Sequence, residues 1–350
     1  MVKAVRIAAS GLLAAVLAGC TTSPGRLAAH RLPGRARGPF TAFVVNEGSD
    51  TVTPFDTATR RVFRPIKVGS SPVAIAITPD GRTAYVANND SGTVTPINIA
   101  TRTALEPINV GTRPDAIAIT PDGKTAYVAN ADSQTVTPIS TATDEAAAPI
   151  RVGPQPDAIA ITPDGRTAYV ASNENHGTVT PVNLAAGSAG RPITVGTTPK
   201  GIAILPNGRT AYVVGRYSVT PIDIATGTPG REISPVNPGY GPAAIAITPD
   251  GRTAYVSGYF ESDSTVESDM PAPMTPIRLA TGTPGKPLHP GNNPEAIAIT
   301  PDGAIAFVVN WQSWGMVTPV NTATGRLEKP IKVGNQPIAI AITPASRAQL

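Results

Sequence analysis

One cysteine, three histidines and two tryptophans in 350 residues leave little material for several kinds of chemistry. No Cys-based motif can be built, and no Gly-rich phosphate loop or Gly-x-Ser-x-Gly elbow occurs. Charged residues are only 15% of the chain, and no stretch reads as a soluble charged helix. The one apolar run, ending at Leu17, is short for a bilayer span, and nothing after it is long enough to cross. What is abundant is proline (38) and glycine (33), with apolar residues at 41%. Spread evenly, these favour many short strands joined by tight turns around a sizeable core. The length suits one large repeat domain or two ordinary ones.

The excess of basic residues is misleading. All 24 acidic residues follow position 46, whereas Lys3, Arg6, Arg26, Arg31, Arg35 and Arg37 precede position 40. The remainder is slightly acidic, so a surface that tracks nucleic-acid phosphates is not expected.

Residues 1–19 have a basic start, an apolar run and then small residues, the layout of a secretory signal peptide. Leu17-Ala18-Gly19-Cys20 resembles the lipobox of bacterial lipoproteins, which implies lipidation of Cys20 and an extracytoplasmic chain anchored to the cell membrane. The competing readings are an ordinary signal peptide with an incidental cysteine, or a single span. Residues 20–39 then form a basic tether reaching roughly 25 Å as a coil, its four arginines able to rest on anionic headgroups. His30 belongs to it.

Self-similarity dominates residues 40–344. Ala-Tyr-Val recurs at Tyr85, Tyr127, Tyr169, Tyr212 and Tyr255, with Ala-Phe-Val at Phe43 and Phe307, at spacings of 42 or 43 residues and once 52. A period just above 40 built from strand signals predicts four-stranded propeller blades, seven in number, in an all-β protein. In one unit, Ala74-Ile75-Ala76-Ile77 alternates small and large as an innermost strand should. Thr78-Pro79-Asp80-Gly81 supplies the turn chemistry of a hairpin, followed by strands at 83–87, 93–97 and 107–111. Every third strand carries a proline (Pro54, Pro96, Pro138, Pro181, Pro221, Pro276, Pro319). Its nitrogen is expected to face a poorly paired outer strand or a bulge.

The Ala-Tyr-Val-Ala-Asn string, the Pro-Asp-Gly turn and the Asp/Asn-x-Ala-Thr segments (56–59, 223–226) resemble the YVTN family of bacterial and archaeal propeller repeats. This chain has Ala where the family name has Thr, and Pro where relatives usually carry Val. The resemblance implies the fold; such repeats occur in surface proteins, in binding proteins and beside lactonase-like enzymes.

The first unit lacks an inner strand, and residues 337–343 are an inner strand with nothing after it. The C-terminus should therefore complete blade one, leaving 345–350 as a tail. Both termini then lie on the face of the Pro-Asp-Gly turns, held toward the membrane, while the variable loops point away.

On those loops, blade six has a 20-residue interval from Tyr255 to Thr275 where others have 8 to 11. It holds Tyr259, Phe260, Glu261, Asp263, Glu267 and Asp269, next to the Trp311 and Trp314 of blade seven, which makes a candidate ligand face. The alternative is a solvated insertion with the tryptophans packed beneath it or onto blade one; it lacks the spacing of a calcium loop. A second set, Asp115, Asp157, Lys200 and Glu295, occupies equivalent positions that should ring the channel mouth. These form either a salt-bridged, hydrated rim or a divalent-cation site of the kind found in propeller lactonases. His176 and His289 read as solvated loop residues.

The expected function is a non-catalytic binding or scaffold module, monomeric and without cofactor, for a protein, glycan or cell-wall partner. The alternative is a lactonase-like hydrolase using a metal at Asp115, Asp157 and Glu295. A redox role finds no cofactor ligands in the sequence.

Overall fold

The computed structural model describes residues 40–173, 177–235, 240–260 and 272–345, with 240–242, 259 and 260 as backbone only. Cys20 with the signal and tether segments, His176, Glu261, Asp263, Glu267 and Asp269 lie outside the described residues.

Seven antiparallel sheets follow one another around an axis. Blade two shows the logic. Its inner strand Pro72–Ile77 is buried along its whole length, because each of its two faces meets a neighbouring blade. The small face (Ala74, Ala76) packs with Tyr85 against Ile117 and Ile119 of blade three. The large face (Ile75, Ile77) packs with Phe43 and Ala339 of blade one. Ile thus meets Ala from blade to blade, which lets the inner strands crowd the axis without voids.

The hairpin turn forms as its residues dictate. Gly81 takes φ +70°, and the Thr78 hydroxyl donates to Asp80 at 2.6 Å while accepting from the Thr83 amide at 3.1 Å. The prolines of the turns have a further use. Pro79 sits 3.2 Å from where a Cβ on Gly123 of the next blade would stand, and Pro121 stands in the same relation to Gly165. Pro344 reaches Gly81 in this way at 3.5 Å. Proline therefore persists at the last position, although the hairpin residues after it are gone.

Thr93–Asn98 carries Pro96 opposite Tyr85. The Pro96 carbonyl accepts from the Leu105 amide at 2.8 Å. Since a residue's nitrogen and carbonyl point the same way in a strand, the missing N–H faces the outer strand. The outer strand there consists of two short pieces, Thr103–Ala104 and Ile108–Asn109; only the second falls within the run expected over 107–111, where it is shorter than expected.

Blade one closes the ring. Thr41–Asn46 pairs with Thr51–Asp56 on one side and with the C-terminal Pro337–Ile342 on the other. Thr343 donates its amide to Thr41 at 2.9 Å and the Thr41 amide reaches the Thr343 hydroxyl at 3.0 Å. Both ends of the described chain therefore sit on the turn face, and the inner side of Thr41–Asn46 is paired as the second strand of every other blade is.

Candidate functional site

The inner strands are not regular where they begin. In six blades the register slips by one residue just after the leading proline: Pro114 opposes Asn130 and Ala116 opposes Ala129, leaving Asp115 as the extra residue. The same slip falls at Val73, Asp157, Glu295 and Ile338, and within 242–245 of blade six. A bulge re-aims the side chain it carries. In blade five the strand Gly201–Ile204 starts directly after Lys200, whose amide bonds the Val214 carbonyl at 2.8 Å. The four predicted mouth residues thus share one structural position, at the loop-side end of the channel.

Asp115, Asp157 and Lys200 are buried, and Glu295 is half-buried. Burial, then the charge of Asp157, pushes the Asp115 carboxyl up to about 7, against the opposing pull of Arg113 and Asn89. Burial likewise pushes Asp157 up to about 6, offset by Asn173, Arg113 and Lys200. Burial raises Glu295 too, with Lys200 lowering it and Glu47 raising it again. The ring is one electrostatic unit in which desolvated carboxylates are only partly balanced by Lys200 and Arg113. Among the described residues, no three His, Cys, Asp or Glu side chains form a group able to hold a metal ion. Asp115, Asp157 and Glu295 do not form such a group as their side chains are placed.

A second tier follows from the residue just after each second strand. Asn89 donates its amide to Asp115 across the blade boundary, and Asn173 donates to Asp157 at 2.7 Å. Arg113 spans Asp115 (3.3 Å) and Asp132 (2.9 Å). Glu47 accepts from the Ser71 hydroxyl at 3.2 Å. Trp311 occupies this same repeat position and packs, half-buried, on the cluster that contains Ile338 and Val45. It is a wall of the mouth against blade one, as the second reading of the tryptophans has it. Reading the repeats in register would have grouped it with Asn89 and Asn173.

Trp314 is different: it is 73% exposed, with the Lys332 ammonium 5.1 Å from its ring. Tyr217, in the short loop of blade five, is 59% exposed and carries Arg216 at 5.2 Å from its ring. Sequence reasoning passed over Tyr217, since its loop is the shortest of the seven. Between these two blades, the blade-six strands Tyr240–Ile247 and Thr253–Phe260 each run eight residues instead of the usual six. The hairpin, with Tyr259 and Phe260 at its end, therefore rises about 7 Å above its neighbours. His289 lies exposed on the outer strand Leu288–Gly291. The arrangement offers aromatic contact surface around a partly desolvated acidic mouth, and proton exchange near neutral pH.

A family model described as YNCE-like beta-propeller matches residues 83–176, about a quarter of the chain. No curated protein matches the chain significantly in sequence. Among solved structures, the hydrazine synthase of Kuenenia stuttgartiensis matches with a TM-score of 0.69 and 23% identity over 78% of this chain and 90% of that one. The periplasmic gluconolactonase of Pseudomonas aeruginosa matches with a TM-score of 0.68 and 20% identity over 87% and 99%. A functionally unknown protein from Desulfotomaculum acetoxidans matches with a TM-score of 0.70 and 18% identity over 88% and 99%. At these identities the likeness is one of fold. The chain is a seven-bladed β-propeller repeat protein, similar over its second to fourth blades to the YNCE-like propellers.

Proposed function

We propose that this chain is an extracytoplasmic, lipid-anchored YVTN-type propeller that acts as a monomeric, non-catalytic binding module. Its ligand, a protein, glycan or cell-wall component, meets the loop face over blades five to seven and the channel mouth. The observation that carries this reading is Trp314: a large aromatic ring kept 73% exposed beside the tall blade-six hairpin, on the face opposite both chain ends. Exposed aromatic rings at loop tips are disproportionately contact residues. The test is crosslinking on intact cells, comparing wild type, Trp314→Ala and a chain trimmed at 259–272. The reading requires that the captured neighbours be lost or changed in both variants; an identical set overturns it.

A second reading, a lactonase-like hydrolase at the mouth, is favoured by one observation: Asp115, with a pKa of about 7, can hold or release a proton at neutral pH. The gluconolactonase that shares the fold makes lactones the substrates to try. Hydrolysis of gluconolactone that disappears in Asp115→Asn, with and without chelator, would favour it over the binding module.

A further inference from the structure

The turn between the third and fourth strands of each blade places one left-handed residue against the outer strand of the blade before. These residues are Arg60, Arg102, Asp144, Gly187, Gly227, Gly282 and Gly325. Where the preceding blade offers a large or charged side chain, an arginine covers it. Arg102 stacks 3.7 Å over the ring of Phe63, and Arg60 meets Glu328 at 2.6 Å. Three of the glycine seams close on an aliphatic side chain: a Cβ on Gly227, Gly282 or Gly325 would lie 3.2 to 3.6 Å from Ile193, Ile233 or Leu288.

The seam between blades two and three breaks this rule. Leu105 donates its amide to Pro96 as Phe63 does to Pro54, so the two residues are equivalent. The residue that should cover Leu105 is Asp144, and its carboxylate is turned to the Tyr85 hydroxyl at 2.6 Å. Leu105 is left 45% exposed. Around it lies an open groove of about 930 Å³ lined by Leu105, Glu106, Pro107, Asp144 and Glu145. Neither Glu106 nor Glu145 has an ion-pair partner among the described residues.

We propose that this groove is the docking site for residues 26–37 of the same chain. That segment carries Arg26, Arg31, Arg35 and Arg37 together with Leu27 and Leu32, and no acidic residue. It supplies the arginine that the seam lacks, with a guanidinium for the three carboxylates and apolar stems for Leu105 and Pro107. It is also close at hand. The described chain starts at Phe40, whose carbonyl is bonded by Thr57 at the turn face of blade one. The turn at 141–144 borders that face, the Thr141 amide bonding the Lys124 carbonyl at 3.0 Å. With residues 26–32 in the groove, residues 33–39 are left to cross the intervening blade, about 25 Å when extended.

The test uses the full-length protein with the photoreactive p-benzoylphenylalanine replacing Leu105, a surface position, and in a second variant replacing Thr143. Irradiation should give an intramolecular adduct that maps to residues 26–37. Its yield should fall to background in Arg26→Ala/Arg31→Ala/Arg35→Ala/Arg37→Ala, in Glu106→Gln/Glu145→Gln, and in 1 M salt, which screens such pairs. No adduct from either probe position overturns the proposal. So does an adduct to lipid, to a second copy or to another part of the chain, or a yield unaffected by removing the charges.

Discussion

Gly111 of blade two donates its amide to the Oδ1 of Asn130 in blade three at 3.1 Å, and a single added methyl group on Gly111 would stand 2.6 Å from the Asn130 Cγ. The same contact joins blade seven to blade one, where Gly334 donates to Asn46 at 3.0 Å. The asparagine is buried and turns its amide to two threonines of its own third strand, Thr135 and Thr137. One residue thus satisfies the polar groups inside a blade and fastens the previous blade to it. This is the physical reason for the Val-Gly that ends the units.

Gly111→Ala should therefore destabilise the protein by about 2–4 kcal/mol, since the obstacle is a buried side chain hemmed in by sheet. Gly187→Ala, with φ +61° and nothing within 4 Å of the new Cβ, should cost only about 1 kcal/mol for its backbone conformation. Urea unfolding of both variants makes the comparison. Equal losses would show that the Asn–Gly contact does not govern the seam.

Blade four has Ser172 where blades two and three have asparagine, and both the Ser172 and Thr180 hydroxyls are buried without a partner. Ser172→Asn restores a donor for Thr180 and an acceptor for the Gly153 amide. It should raise stability by about 1 kcal/mol, read as a higher melting temperature. A lower one would mean that the site has no room for the larger group.

At the channel mouth, the folded state raises the proton affinities of Asp115 and Asp157 to about 7 and about 6, above the ordinary carboxylate value of 3.8. Folding therefore takes up protons. The stability tied to these groups is complete below pH ~4 and is lost as the pH climbs through 6 to 7, by a few kcal/mol at most. Asp115→Asn should flatten this decline and leave the variant at least as stable as wild type at pH 8. Denaturation midpoints between pH 5 and 8 decide it; a steeper decline in the variant would contradict the assignment.

The two tryptophans should behave oppositely. Trp314→Ala is expected to change stability by less than about 0.5 kcal/mol, as exposed positions do. Trp311→Ala removes a half-buried ring from the contact between blades seven and one and should cost about 1–3 kcal/mol. A large stability loss in Trp314→Ala would remove its claim to be a contact residue.

The blade period, the turn residues and the closing strand were legible because each is a local pattern repeated along the chain. The third-strand prolines were read correctly for the same reason: the missing N–H dictates its side of the strand. The fourth strand was legible only in part: Ile108–Asn109 falls within the expected run, while the piece Thr103–Ala104 ahead of it has no pattern that the repeats make visible. Trp311 and Trp314 look like a pair in the sequence. Three positions apart, they fall on a wall and on a loop tip, and only the blade geometry separates them. The support of Asp115 by Asn89, the exposure of Tyr217 and the uncovered Leu105 depend on which blade follows which. Those contacts have no signature within a single repeat.

The joined ends have one more implication. Thr41 and Thr343 hold each other by two hydrogen bonds on a single face, so the circle has no privileged starting point. A short covalent link from residue 343 to 41, with the chain cut instead in the exposed turn at 187, leaves every sheet with its neighbours. The wheel should run from any spoke, and only the position of whatever hangs from its first residue would move.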